Sequence, residues 1–212
     1  PMLAIGDDEH LRRVARTFDF ALPRAKGESG YYYDILQQDG TVLNRDAAAV
    51  VPGVAVTRRN ADVLYWMVKQ FDLMKRMGKS DRIRPEWEDA VRKLADAFVR
   101  TWKEEGTWGN YLHVETGKVA VFNTTSGAMA VGGLALAAEY FSRPEYLEVA
   151  EQAASDFYRQ FSIVGFTSGG CGDILQNSDS ETAAALMTSL TTLYEKTGKA
   201  DYLQQAQDLA HL

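Results

Sequence analysis

The sequence contains almost no cysteine and no long apolar run. Cys171 is the only cysteine, so an internal disulfide is excluded. No apolar stretch approaches the ~20 residues that a membrane-spanning helix requires. Basic residues are also in the minority, with 23 Lys and Arg against 29 Asp and Glu. The resulting net charge of -6 argues against nucleic acid or an anionic membrane as a partner.

Motifs for several common chemistries are missing as well. The sequence shows no phosphate-binding glycine loop, zinc-ligand pair, EF-hand or nucleophile-elbow serine. We therefore expect neither a cofactor nor a metal ion. Cys171 is a poor candidate nucleophile because no histidine lies near it in sequence. What remains is an ordinary globular composition, with 46% hydrophobic and 25% charged residues.

Apolar residues at helical spacing dominate the chain and predict an all-α protein of about seven helices. The predicted helices cover residues 7–20, 61–77, 85–105, 127–141, 144–161, 182–197 and 200–212. A small β-hairpin is predicted at 31–43, where a tyrosine-rich run is followed by Asp39-Gly40 and a second apolar run. The stretch 46–57 is predicted to be an irregular connection.

The helices repeat in pairs, which predicts stacked helical hairpins. Pro85-Glu86-Trp87, Pro144-Glu145-Tyr146 and Ala200-Asp201-Tyr202 begin equivalent helices. Those helices carry charge on one face, as outer helices do, whereas 127–141 and 182–197 are apolar or small on most faces, as inner helices are. Connections from outer to inner helices are long, and the reverse ones are short. All the long loops should therefore lie at one end, beside the N-termini of the inner helices.

Two of these long loops carry residues suited to binding a polar ligand. Arg58 and Arg59 could pair with a carboxylate, sulfate or phosphate, although surface ion pairs would explain them equally well. In the second loop, Trp108 and Tyr111 suit stacking on a sugar ring. His113 could act as an acid or a base near neutral pH, and the alternative is a solvated histidine. Asn123 could bind substrate or merely cap the next helix.

The third loop is glycine-rich and carries carboxylates. Asp173 and Asp179 could supply the two carboxyl groups that glycoside hydrolysis requires, or each could act with Asp34 or Glu115 from another loop. Asp179 could instead be an ordinary acid of the first helical turn. Ser178 and Glu181 have the spacing of a capping box, which explains Glu181 without any chemistry. Among the three acids, Asp173 is our first choice as a catalytic group.

These motifs resemble those of a known superfamily. The repeated hairpins, ending in Thr197-Gly198-Lys199-Ala200-Asp201-Tyr202-Leu203, resemble the six-hairpin glycosidases, which are (α/α)6 toroids. The runs 172–181 and 57–62 look most like bacterial β-glucuronidase-like glycoside hydrolases from polysaccharide-degrading Bacteroidetes. A full toroid needs twelve helices, so we expect residues 1–212 to form one toroid-type domain, the N-terminal part of a larger catalytic domain.

The resemblance implies hydrolysis of oligosaccharides that contain uronic acid, in a cavity lined by the inner-helix N-termini. Asp173 and Asp179 would be catalytic, and Arg58 or Arg59 would hold the uronate. We also expect substrate binding by the following residues: Trp108, Tyr111, His113, Asn123, Gln176 and Glu181. The resemblance further implies that the protein is periplasmic or secreted in a bacterium, and the alternative location is the cytoplasm. An incomplete ring would favour homo-oligomers or other association through its exposed inner faces.

Three other functions stay open at this point. A polysaccharide lyase would use Tyr111 or His113 to remove a proton beside the uronate carboxylate. A sugar epimerase would use His113 as its base. A non-catalytic helical-repeat protein would bind partners on a concave helix face, whereas the aromatic and charged candidates here lie in loops.

Overall fold

The computed structural model describes residues 8–43, 52–169 and 178–211. Within these ranges the chain forms seven α-helices and one small sheet. The helices are α1 (Asp8–Arg24), α2 (Thr57–Arg76), α3 (Pro85–Glu105), α4 (Ala128–Tyr140), α5 (Pro144–Gln160), α6 (Ser180–Thr197) and α7 (Ala200–Leu209). None of the helices in these ranges is both long and apolar enough to cross a membrane. The expected all-α hairpin architecture is confirmed.

The helices form two layers. Helices α2, α4 and α6 pack side by side as the inner layer, and α5 and α7 pack outside them. Helix α3 also belongs to the outer layer, and α1 covers it through an edge-on contact of Phe18 with Trp87, whose ring centroids lie 5.3 Å apart. The inner helices run parallel because each returns through an outer one. Their N-termini therefore lie at one end of the molecule, which we call the rim.

Helix α4 is the centre of the packing. All of its residues from Ala128 to Ala135 are buried, because α2 lies against one side and α6 against the other. Two glycines allow this close approach. A Cβ at Gly132 would lie 2.9 Å from Ser189 Oγ, and one at Gly133 would lie 2.9 Å from Leu64 Cγ. The Ser189 hydroxyl accepts a hydrogen bond from Gly132 N and donates one to the Ala128 carbonyl.

The long loops add a three-stranded antiparallel sheet at the rim. Its strands are β1 (Val54–Val56), β2 (Tyr111–His113) and β3 (Val119–Val121), with β2 in the centre. Val54 pairs with His113, and Val56 pairs with Tyr111. The prediction of an irregular connection through residue 57 was therefore wrong for β1, because strands from a later loop pair with this segment.

The predicted N-terminal hairpin is present. Leu36 pairs with Val42 around a tight turn in which Gly40 N donates to the Gln37 carbonyl. Tyr32, in contrast, pairs with Lys26. The side chain of Asn60 in α2 receives the Tyr32 N–H at 2.8 Å and donates to the Tyr32 carbonyl at 3.0 Å. These two bonds attach the segment before the hairpin to the first turn of α2.

The opposite end of the molecule has short connections. Only Ser142 and Arg143 separate Phe141, which follows α4, from α5, and Ser142 adopts a positive φ of 55°. Gly198 and Lys199 join α6 to α7. Long loops and short turns are thus sorted to different ends, as the sequence predicted.

Substituting Gly132 with alanine should destabilise the protein. Alanine gains ~1 kcal/mol in helix propensity, but the added methyl group must displace Ser189 and Tyr65, which costs about 1–3 kcal/mol. We expect a net loss of up to about 2 kcal/mol in the free energy of unfolding, measured by urea denaturation. Glu148→Ala, at an exposed position on α5, should change it by less than ~0.5 kcal/mol. A Gly132→Ala variant more stable than the native chain would contradict the packing described.

Candidate functional site at the rim

Backbone hydrogen bonds join the long loops at the rim. Thr57 N donates to the Asn110 carbonyl at 2.9 Å, which attaches the start of α2 to the loop before β2. Thr125 N donates to the Ser168 carbonyl at 3.0 Å, and Asp179 N donates to Thr167 O at 2.8 Å. Helices α2 and α4 therefore each begin beside a different loop, and the loop that leads into α6 is closed by a bond between its own residues. The expected convergence of the long loops is a property of the described structure.

Arg58 lies at the centre of this junction. Its side chain is only 8% exposed, and its Nε donates to Asp62 Oδ1 at 2.9 Å. Its Nη1 donates to the Glu181 carbonyl at 3.3 Å, and its Nη2 lies 3.5 Å from Glu181 Oε1. This pair joins the first turn of α2 to the first turn of α6. The pair thus joins two of the segments that the sequence predicted to lie at one end of the molecule.

Arg58 and Arg59 belong to a helix and not to the loop that the sequence indicated. Helix α2 begins at Thr57, and no side chain caps it: its N-cap is Val56, in extended conformation. Thr57 Oγ1 instead bonds to the Trp108 carbonyl at 3.3 Å. Tertiary hydrogen bonds thus replace the local capping signal that sequence patterns detect.

Arg59 is more open than its neighbour. Its side chain is 35% exposed, and its Nη1 lies 3.6 Å from Asp34 Oδ2. Asp34 has a 1% exposed side chain and accepts the Val56 N–H at 3.0 Å. Because it is engaged in this way, Asp34 serves as a structural anchor beneath Arg59. That role disfavours Asp34 as the partner acid proposed from the sequence.

Glu115, the other alternative acid, is also held by hydrogen bonds. Its Oε1 accepts the Tyr33 hydroxyl at 2.6 Å, and its Oε2 accepts the Glu28 N–H at 3.0 Å. The bond from Tyr33, followed by that from Glu28 N, lowers the pKa of Glu115. A general acid needs a raised pKa, so Glu115 is unsuited to protonating a leaving group.

Asp179 is the N-cap of α6, and its carboxylate accepts the Thr182 N–H. The sequence predicted a capping box with Ser178 as the cap and Glu181 as its partner. That prediction was wrong by one residue, because Asp179 has the extended conformation of an N-cap. Glu181 lies in the first turn and contacts Arg58 instead. A cleft of about 430 Å³ adjoins Asp179 and is lined also by Phe166, Thr167 and Met187.

Trp108 does not offer a surface for sugar stacking. Its side chain is fully buried, and its Nε1 donates to the Phe98 carbonyl at 2.8 Å. The indole packs against Trp102, with ring centroids 4.9 Å apart, and against Gly127, where a Cβ would lie 2.6 Å from it. Only the backbone of Trp108 reaches the rim. The loop position suggested exposure, but the ring turns into the aromatic core.

Tyr111 and His113 lie on one face of β2. Leu112 between them is fully buried, so the two side chains alternate to the opposite face. Tyr111 is half-buried, and His113 is exposed. Both belong to the strand that pairs with β1, which leads directly into α2. The structure therefore places both residues on the strand beside the one that leads to the arginines.

Asn123 is exposed and lies in a different environment. It adopts a positive φ of 62° and lines a small cavity of about 150 Å³ with Trp102, Phe157 and Gln160 of the outer helices. It does not cap α4, whose N-cap is Gly127. Asp173 and Gln176 lie outside the described residues, and their placement stays a prediction.

Solved structures show which fold this is. No protein-family model and no curated protein matches the chain. A D-mannose isomerase superposes with a TM-score of 0.66 at 14% identity, over 98% of this chain and 51% of that one. A cellobiose 2-epimerase from Spirochaeta thermophila gives 0.64 at 14%, over 95% and 53%. An unsaturated glucuronyl hydrolase with the oligosaccharide dGlcA-Glc-Rha-Glc gives 0.63 at 13%, over 99% and 57%.

These structures are (α/α)6 toroids, and the chain has the toroid fold that its sequence resembled. It spans about half the length of each of them. At such low identity the similarity establishes the fold alone.

Replacing Asp179 with alanine should destabilise the protein because α6 loses its cap. We expect a loss of about 0.5–2 kcal/mol in the free energy of unfolding. Asp179→Asn should retain most of that stability, since asparagine caps a helix as well as aspartate. Ser178→Ala is the matched control and should have little effect. A larger loss of stability for Ser178→Ala than for Asp179→Ala would show that Ser178 caps α6, as the sequence predicted.

Replacing Tyr33 with phenylalanine should raise the pKa of Glu115, because the variant lacks the hydroxyl whose hydrogen bond is the main cause of the lowered pKa. A depressed carboxyl pKa stabilises the folded state above the ordinary value of 4.5, and this contribution is lost as the pH falls through the folded pKa. The variant should therefore lose less stability on acidification below that value than the native chain. Titration of the Glu115 carboxyl by NMR measures the shift directly, and an unchanged titration would contradict the contact.

Proposed function

We propose that this chain is part of a toroid-type carbohydrate-active enzyme that hydrolyses oligosaccharides containing uronic acid. The observation that carries the proposal is the pair of Arg58 and Glu181, which joins the first turns of α2 and α6 at the rim. This link holds the partly exposed Arg59 and the carboxylate of Asp179 on rigid elements at the same end of the molecule. Cations recognise a uronate carboxylate, and carboxyl groups perform glycoside hydrolysis.

The catalytic pair in this proposal is Asp173 with Asp179. Asp179 is the N-cap of α6 at the rim, beside the cleft described above. One carboxylic acid would protonate the oxygen of the leaving sugar, and one carboxylate would activate water or attack the anomeric carbon. Because Asp179 also caps α6, its catalytic part has to be separated from its structural one by a variant that retains the cap.

The similar structures support a carbohydrate substrate without selecting the reaction. One of the three is a hydrolase with a bound oligosaccharide, another is a sugar isomerase and the third is a sugar epimerase. The second candidate function is therefore sugar isomerisation or epimerisation. It is favoured by the exposed imidazole of His113, on the same face of β2 as Tyr111. A histidine there could remove and return a proton at a sugar carbon.

The variants Asp173→Asn and Asp179→Asn test the hydrolase. Each should lower the rate of hydrolysis of uronic acid glycosides by about 100-fold or more, because a carboxamide transfers no proton. Reducing-end detection measures cleavage, and ultraviolet absorbance would reveal the unsaturated product of a lyase. Glu148→Gln, on the exposed face of α5, is the control and should keep the full rate.

Three outcomes would contradict the hydrolase. Full rates of hydrolysis in both Asn variants would exclude Asp173 and Asp179 as catalytic groups. An absorbing product would indicate a lyase. Interconversion of sugars without new reducing ends, abolished by His113→Gln, would establish the isomerase or epimerase in its place.

A further inference from the structure

The two adjacent arginines of α2 have different environments. The guanidinium of Arg58 is almost buried and is engaged through Nε, Nη1 and Nη2 with Asp62 and Glu181. A side chain held by two carboxylates and a carbonyl has few N–H groups left for a ligand. The contacts of Arg58 are those of a structural link between α2 and α6.

Arg59 has one carboxylate beside it, at a longer distance. The separation of 3.6 Å between Nη1 and Asp34 Oδ2 is that of an ion pair without a close hydrogen bond. Asp34 therefore attracts the guanidinium without consuming its forked donors. With 35% of the side chain exposed, the remaining N–H groups are accessible at the rim.

Asp34 differs from Asp62 and Glu181, two other carboxylates that the structure describes at the rim, because its side chain is almost completely buried. An ionised carboxylate in the interior requires compensation by a cation and by hydrogen bonds. Val56 N donates to it at 3.0 Å, directly before α2 begins. Asp34 is thus fixed to the backbone that leads into the helix bearing Arg59.

The position of Arg59 in its helix supports a ligand role. It is the third residue of α2, and the first turn of this helix contains no acidic residue. A cation there is unfavourable because the N-terminus of a helix is already partly positive. The negative charge of Asp34 offsets part of this electrostatic repulsion from the buried side of Arg59. An anion bound on the exposed side would offset the remainder.

We infer that Arg59 binds the carboxylate of the substrate's uronic acid and that Asp34 is the positioning residue that holds the Arg59 guanidinium in place. This inference rests on the proposed function and adds to it which arginine selects an acidic sugar. Arg58 contributes by joining two inner helices. Selectivity for an acidic over a neutral sugar then depends on the pair of Asp34 and Arg59.

The experiment compares binding of two probes that differ only at the carboxylate. They are p-nitrophenyl 1-thio-β-D-glucuronide and p-nitrophenyl 1-thio-β-D-glucoside, whose S-glycosidic bonds resist hydrolysis, and each is titrated calorimetrically into the full chain and its variants. The measured quantity is the ratio of the two dissociation constants. A loss of folded protein changes both constants equally, so this ratio responds only to recognition of the carboxylate.

We expect Arg59→Lys to reduce the preference for the glucuronide by about 10- to 100-fold, because the forked, charge-assisted bonds are lost. Asp34→Asn should reduce it by about 10-fold, because the amide keeps the bond from Val56 N without the charge that holds the guanidinium. Binding of the glucoside should be unchanged in both. Arg58→Lys is the matched neighbour and should lower the melting temperature while preserving the ratio.

A double variant tests whether Asp34 acts through Arg59. Asp34→Asn should have no further effect on the ratio in an Arg59→Met background, where no cation remains for Asp34 to hold. If Asp34→Asn does not fold, Asp34→Glu displaces the charge by one methylene and should also lower the ratio. Circular dichroism establishes folding of each variant before titration.

Each contrary result has a distinct meaning. A native ratio in the folded Asp34 variants would overturn the positioning role. Loss of selectivity in Arg58→Lys, but not in Arg59→Lys, would overturn the choice of arginine. A native chain that binds both probes equally, or neither, would reject recognition of uronic acids and with it the proposed function.

Discussion

The structure depends on the close packing of α4 between α2 and α6. Gly132 and Gly133 have no Cβ, so neighbouring side chains and backbone reach positions that any other residue would fill. The hydroxyl of Ser189 fits into this contact and bonds to α4 at two points. Helix α4 is then buried on all sides over its first turns, and the three inner helices are fixed side by side. Their common direction places the long loops at the rim.

Much of the helical part could be predicted because its boundaries are encoded locally. Proline at the first position marks the start of α3 and α5, and Gly198 in the left-handed conformation ends α6. Predicted and observed bounds agree there within a residue or two. Helix α2 began four residues before its predicted start, since its first N–H group is satisfied by Asn110, a distant loop residue. The sheet was missed for the same reason: each of its strands has only three residues, and their pairing joins distant segments. Two short runs of Val-Ala-Val were the only signal available.

At the candidate site, sequence reasoning identified residue types more reliably than their roles. It named Arg58 and Glu181, and the structure joins them. It could not separate Arg58 from Arg59, because burial of one arginine by Asp62 and Glu181 is a tertiary property. Trp108 shows the limit most clearly: a loop tryptophan can face solvent or turn inward, and the choice here is set by Phe98, Trp102 and the glycine at 127. The acids Asp34 and Glu115 looked free in sequence, yet both are bound to backbone N–H groups.

The sorting of the connections to opposite ends has a consequence for how such a protein can diversify. Connections of two residues, as between α6 and α7, leave no slack for insertions without pulling packed helices apart. Rim loops carry no such restriction, since they join elements already anchored by the buried α4. New specificities can therefore evolve, or be grafted by an engineer, at one end of the molecule while the other end preserves the scaffold.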